Sequence, residues 1–242
     1  MSTICEEKMN NKPFVSAVIV SAGSSSRMGG INKQFLNICN MPVLAWSIQA
    51  FSQSIFVDEI VVVTREKDIA EVEKLIADYS LKKVKAVVVG GETRQLSVLN
   101  GVAITNEKAE YIAIHDGARP LVSERVILDT LNCAIEYGAA TTGVKVVDTI
   151  KCVDENEDIV STPNRAVLRA VQTPQIFKKE LYLDAIRHVE NSKDFTDDCK
   201  LIEAYGKSVK IVDGDYENIK ITTPNDIVVA ECYLLRRGES NA

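Results

Sequence analysis

Val15-Ser16-Ala17-Val18-Ile19-Val20 runs straight into Ser21-Ala22-Gly23-Ser24-Ser25-Ser26-Arg27-Met28-Gly29-Gly30-Ile31-Asn32-Lys33-Gln34, and this stretch decides the fold. An apolar run of strand length, nearly continuous rather than alternating, marks a strand covered on both faces. Runs of the same kind stand at 59–64, 84–90 and 111–115. Between them apolar residues recur at helical spacing: Ile69, Val72, Leu75 and Ile76, then Val126, Ile127, Leu131, Ala134 and Ile135, with Gly138 placed as a C-cap. The alternation predicts an α/β fold, Rossmann-like, with a mostly parallel twisted sheet and helices on both faces.

The rhythm breaks near Asp148. Residues 149–171 are polar, with Asp154-Glu155-Asn156-Glu157-Asp158 set between short apolar pieces. This reads as a protruding β-arm with an acidic tip, either a surface decoration or a device for gripping a partner. Helical spacing resumes at 181–189 and 198–205, and a strand is expected at 208–212. The last helix should begin at Thr223-Pro224, since Thr suits the N-cap and Pro the first turn. Without repeats or low-complexity tracts, residues 1–242 read as a single domain.

Composition narrows the function. The chain is 46% hydrophobic and 26% charged, as an ordinary globular protein is. Its net charge of −6 argues against nucleic-acid binding through a broad basic face, yet allows a local cationic site for a small anion. Six scattered cysteines without a C-x-x-C pair suggest reduced thiols, and with two histidines they make a zinc site an unpromising reading. Residues 1–13 lack the apolar core of a signal peptide, and no apolar run reaches membrane length. A cytoplasmic protein without a membrane partner is expected.

In an open parallel sheet, ligands bind beyond the C-terminal strand ends, where strand order reverses. The loop after Val20 offers small residues, Ser hydroxyls and the cations Arg27 and Lys33. It reads either as a phosphate cradle or as a flexible surface loop. It is neither a Walker A loop nor G-x-G-x-x-G. In His115-Asp116-Gly117-Ala118-Arg119-Pro120, Asp116 can hold ribose hydroxyls or Mg2+, or pair structurally with Arg119. His115 reads as a packed or hydrogen-bonded residue, because no nucleophile stands beside it to be activated. Gly90-Gly91-Glu92-Thr93-Arg94-Gln95-Leu96-Ser97-Val98 can present backbone groups to a base, or be a plain strand-to-helix turn. The polar pairs Asp148-Thr149 and Asn164-Arg165 precede Gln172-Thr173-Pro174-Gln175 and Thr196-Asp197-Asp198. Asp197 and Asp198 can bind a metal or favour a helix dipole, the second reading being preferred. Lys220, between Ile219 and Ile221, needs an anionic partner or water.

Taken together, in order, these segments resemble the 2-C-methyl-D-erythritol 4-phosphate cytidylyltransferases of the non-mevalonate route to isoprenoids. The resemblance also takes in Lys33-Gln34-Phe35, Asp148-Thr149-Ile150-Lys151 and Asn218-Ile219-Lys220-Ile221-Thr222, and it spans residues 15–231. One departure stands out: Asn32 replaces the proline usual before the second catalytic cation. The gap from Arg27 to Lys33 is six positions (33 − 27), one fewer than the family pattern.

The resemblance implies transfer of CMP from CTP to 2-C-methyl-D-erythritol 4-phosphate, giving 4-diphosphocytidyl-2-C-methyl-D-erythritol and pyrophosphate. It assigns Arg27, Lys33 and Lys220 to catalysis. Ala22, Gly23, Gly91 and Ser97 would cradle the nucleotide, with Asp116 and Ala118 near the ribose. Arg165 and Thr149 would hold the substrate phosphate, with Thr173, Thr196 and Arg119 nearby. Mg2+ would bridge the phosphates, Asp116 being its one candidate protein ligand. The arm would come from a neighbouring subunit, making a homodimer with arm exchange. A sister activity, ribitol 5-phosphate cytidylyltransferase, shares the loop, the His115-Asp116 strand end and Gln172-Thr173-Pro174-Gln175. Gly117-Ala118, Ser97-Val98 and Arg169-Ala170-Val171 favour the first. From other classes, a dinucleotide-dependent oxidoreductase lacks its glycine fingerprint. A non-catalytic binding protein for nucleotides or sugar phosphates would have little need for both Arg27 and Lys33.

Overall fold

The computed structural model describes residues 12–23, 32–189 and 195–238. In chain order the strands are β1 (Val15–Val20), β2 (Asn37–Ile38), β3 (Met41–Pro42), β4 (Glu59–Thr64), β5 (Val84–Val89), β6 (Tyr111–Asp116), β7 (Ala139–Lys145), β8 (Cys152–Val153), β9 (Ile159–Ser161), β10 (Arg169–Lys178) and β11 (Lys210–Asp213). The helices are α1 (Val43–Gln53), α2 (Ile69–Asp78), α3 (Arg94–Ile104), α4 (Glu124–Tyr137), α5 (Lys179–His188), α6 (Asp198–Ala204) and α7 (Pro224–Arg237).

Seven strands make the main sheet in the order β11-β7-β10-β6-β1-β4-β5. β1 pairs in parallel with β4 and β6, β4 with β5, and β7 with β11, whereas β10 runs against both neighbours. The mostly parallel, doubly wound expectation therefore holds. The ten-residue β10 escaped the sequence reading because Gln172-Thr173-Pro174-Gln175 interrupts its apolar run. Its register with β7 shifts between Val171 and Gln175, so the proline sits where the ladder skips.

Strand periodicity sorts the core into two layers. On one face Ala17, Ile19, Ile60 and Val62 pack with Leu44 and Phe51 of α1, Val72 of α2, Ile127 of α4 and Leu234 of α7. On the other Val18, Val63, Ile112 and Ile114 meet Val98 of α3, Tyr182 of α5 and Ile202 of α6. Gly101 lets α3 approach closely, since a Cβ there would stand 2.5 Å from Val18 Cγ1 and 2.7 Å from Val63 Cγ2. One expectation needs correction: β5 is not buried on both faces. It is the last strand of the sheet, and much of its length is open to solvent.

Local signals set the ends of several helices. The Ser123 hydroxyl accepts from Val126 N at the start of α4, and Gly138 closes that helix with φ 85°. Pro224 opens α7 as expected, and the Asp226 carboxylate accepts from the backbone N–H groups of Thr222 and Thr223 at 2.7 Å each. β8 and β9 form a separate antiparallel hairpin, exposed along both strands. In its acidic tip, Asp154 Oδ1 accepts from Asn156 N and Asp158 N. Among the described residues the cysteines are free thiols, and no helix is long and apolar enough to cross a membrane.

Candidate active site

The chain leaves β1 toward β4 and β5 on one side, then returns to β6 on the other, so the ends of β1 and β6 flank the switch point. The turn after β6 is fastened from several directions. Gly117 N donates to Val20 O, Ser47 Oγ to Gly117 O, and Ile221 N to Ala118 O. Arg119 N closes the turn on Asp116 O, and Asp116 N donates to Thr173 Oγ1 of β10. Backbone groups satisfied in this way fix the carboxylate that follows them.

Three cations surround that carboxylate. Lys220 Nζ lies 2.8 Å from Asp116 Oδ2 and Arg119 Nε 3.5 Å from the same oxygen, while the Arg94 guanidinium is 3.7 Å from Asp116 Oδ1 and 2.5 Å from Asp198 Oδ2. Burial alone would raise the Asp116 pKa, but Lys220, Arg94 and Arg119 together hold it far below the usual carboxylate range. Burial would lower that of Arg94, but Asp198 and then Asp116 outweigh it and raise it. The carboxylate is ionised and its neighbours are charged. Between them lies a cavity of about 250 Å3, lined by Arg94, Asp116, Arg119, Thr173, Thr196 and Lys220 with Gln172 and Gln175 on its wall. Arg94, Arg119 and Lys220 outnumber its acids, Asp116 and Asp197, so it favours an anion. A larger hollow of about 760 Å3, between α1 and residues 120–125, has its arginines engaged: Arg237 with Glu217 and Arg125 with Asp129.

Lys33 reaches the same region from a different element. Asn32 caps a short 3-10 turn, its side chain accepting from Gln34 N and donating to Asp68 Oδ2 at 3.2 Å. The turn carries Lys33, whose Nζ donates to Ile221 O at 2.7 Å. Lys33 thus fastens to the residue next to Lys220. Arg27 lies outside the described residues.

Ala22 and Gly23 leave β1, whereas Gly91 and Ser97 follow β5 across the intervening β4. The Ser97 hydroxyl accepts from Gly91 N at 3.0 Å and donates to Thr93 O at 2.9 Å. A Cβ on Gly90 would stand 2.5 Å from the Ala22 side chain, so the two loops touch. Ala118 is buried, with its carbonyl bound to Ile221 N. Thr149 and Arg165 are not brought to the cavity by their own chain. Both are exposed beside the hairpin, and Arg165 donates to Val147 O at 2.7 Å.

Two residues of the site carry no role legible in the sequence, Arg94 within its motif and Tyr182 on α5. Tyr182 is fully buried and donates to Asp198 Oδ1 at 2.7 Å, so Asp198 is held between a phenol and a guanidinium. Asp197 supplies the helix cap, accepting from Lys200 N, and Gln175 ties the pair down through Asp197 Oδ2 and Asp198 N. An i,i+4 count cannot foresee contacts made across 104 positions, as Arg94 to Asp198 is. Among the described residues no group of three or more His, Cys, Asp or Glu could hold a metal. One paired carboxylate does not make a protein-held metal site; it fits an ion arriving on a polyphosphate and gaining at most one protein ligand.

A doubly wound sheet whose switch point gathers cations around a buried carboxylate defines the class, an α/β protein built for phosphate-bearing ligands. The family model for 2-C-methyl-D-erythritol 4-phosphate cytidylyltransferase matches residues 15–236. A protein of that name from Caldanaerobacter subterraneus subsp. tengcongensis is 48% identical over 223 residues, covering 91% of this chain and 98% of the relative. Another, from Desulforamulus reducens, is 44% identical over 225 residues, covering 92% and 96%. The crystal structure of 4-diphosphocytidyl-2C-methyl-D-erythritol synthase from Anaerococcus prevotii matches with a TM-score of 0.83 at 33% identity, over 94% of this chain and 99% of that one. The chain belongs to the 2-C-methyl-D-erythritol 4-phosphate cytidylyltransferase family, and with it to the nucleotidyltransferases.

Proposed function

We propose that this chain transfers CMP from CTP to 2-C-methyl-D-erythritol 4-phosphate in isoprenoid biosynthesis, releasing pyrophosphate. The observation that carries the reading is Lys220 paired with Asp116 while Lys33 binds the next residue, Ile221, within a family match spanning almost the whole chain. A phosphate oxygen of the acceptor forms a bond to the α-phosphorus of CTP, and the bond to the bridging oxygen breaks, its electrons leaving with pyrophosphate. The nucleophile is already an anion, so no serine, cysteine or histidine has to be activated. Crowding of negative charge is the obstacle, and fixed cations lower it.

Lys33 and Lys220 stabilise that charge, joined by Arg27 from the glycine- and serine-rich loop. Ala22, Gly23, Gly91 and Ser97 hold the nucleotide, and Asp116 and Ala118 adjoin its ribose. Mg2+ comes with the triphosphate and, when bound, neutralises part of its charge. Arg119 and Thr196 face the acceptor phosphate from the cavity wall, where Thr173 also lies. Thr149 and Arg165 of a second copy complete the site in a homodimer with exchanged arms. Val147, Val153, Ile159, Val160 and Val167 lie exposed in and beside the hairpin, and they support a surface that a partner covers. The enzyme acts in the cytoplasm. Pyrophosphate release from CTP in Mg2+ buffer tests the activity. Release that depends on 2-C-methyl-D-erythritol 4-phosphate is expected; equal or faster release with ribitol 5-phosphate would overturn the assignment of the acceptor.

A further inference from the structure

His115 is wholly buried, its ring 4.8 Å from that of Phe51, and the reaction proposed above gives it no proton to move. Its two nitrogens nevertheless have well-defined partners. Nε2 lies 3.1 Å from Arg119 O, and a carbonyl oxygen only accepts, so Nε2 carries the hydrogen. The ring is buried and neither nitrogen faces a carboxylate, so it is neutral. Nδ1 is then an acceptor, and its partner at 3.0 Å is Thr173 Oγ1. That hydroxyl has a single proton, which goes to His115, while its oxygen accepts from Asp116 N at 3.0 Å. The bond order is settled from Arg119 O through the ring and Thr173 to the backbone of Asp116.

We infer that His115 is a positioning residue for the transfer reaction: it orients the Thr173 hydroxyl as an acceptor for Asp116 N–H and so sets the carboxylate that holds Lys220. The geometry bears on Thr173 as well. With its proton committed to Nδ1, Thr173 has none to donate to a substrate phosphate, and its place on the cavity wall is structural support for Asp116. Arg119, bound through its own carbonyl to the same ring, is tied to the same device. This inference rests on the cytidylyltransferase reading only in naming what the positioned carboxylate serves.

The test combines a spectroscopic signature with kinetics on the full chain. In nitrogen-labelled protein, NMR of the wild type should show His115 with Nε2 protonated and Nδ1 bare. Thr173→Val should shift the Nδ1 resonance and lower kcat by about 10–100-fold, as small misplacement of reacting groups does. Thr173→Ser should restore both. His115→Asn, whose amide oxygen can replace Nδ1, should retain more turnover than His115→Gln, which can replace only Nε2. If Thr173→Val fails to fold, the wild-type spectrum and the two His115 variants still decide. A protonated Nδ1, an unshifted resonance in Thr173→Val, turnover within about threefold of wild type in that variant, or His115→Gln outperforming His115→Asn would overturn the inference. Wild type without pyrophosphate release would tell against the assigned reaction instead, leaving the spectrum to judge the hydrogen bond.

Discussion

The end of β6 and the β8–β9 hairpin carry candidate residues for one reaction, yet they are built in opposite ways. At the strand end Asp116, Arg94, Arg119 and Lys220 are locked by ion pairs and by backbone hydrogen bonds from three other segments. Beside the hairpin, Thr149 and Arg165 are exposed, and no residue of β8 or β9 belongs to either core cluster. A charge is held rigidly where burial would make an unpaired one costly, and loosely where water can solvate it. The difference separates residues that the fold of this chain holds in place from residues that it leaves open to solvent.

The sharpest break of this contrast is Arg94→Met. Asp198 is 2% exposed and would lose its cation, so stability should fall by about 3–5 kcal/mol. Urea unfolding would measure it, and an unchanged midpoint would show that Tyr182 alone suffices. Next comes Lys220→Ala, in which Arg94 and Arg119 still neutralise Asp116. Fold and stability should survive while turnover drops roughly 10²–10³-fold, read by pyrophosphate release at saturating substrates.

The strand end also carries a pH effect. The folded His115 pKa, about 4, lies below the ordinary 6.5, so between these values the unfolded chain binds more protons. Its contribution to stability is complete above about pH 6.5 and is lost as pH falls toward 4. From pH 7 to 5 the wild type should lose about 2 kcal/mol more than His115→Gln does. Parallel loss in both proteins would assign the acid sensitivity to other groups.

The smallest stability change is expected on the hairpin, where Arg165→Ala should alter unfolding by less than about 0.5 kcal/mol. Its activity should nevertheless fall. Mixed dimers of Arg165→Ala with Lys33→Ala chains should regain part of that activity, because one of the two sites would then be assembled from intact residues. No recovery in verified heterodimers would mean that the arm serves its own chain.

Sequence alone made the doubly wound core legible, since 15–20, 59–64 and 111–115 are apolar runs of strand length and the helices between carry caps such as Ser123, Gly138 and Pro224. It also marked Lys33 as a cation in a loop of small residues, and Asp116, Arg119 and Lys220 as charges at a strand end or between isoleucines. What it could not supply was pairing at long range. Lys33 meets the segment after Lys220 across 188 positions, and Arg94 meets Asp198 across 104. β10 was hidden for a related reason: a polar segment enters the sheet interior only because His115, Asn218 and Asp197 accept or supply its hydrogen bonds. Local periodicity fixes which residues form strands and helices; only the assembled fold decides which buried donor finds which acceptor, because that match is made in space, between segments whose order along the chain places no constraint on their distance.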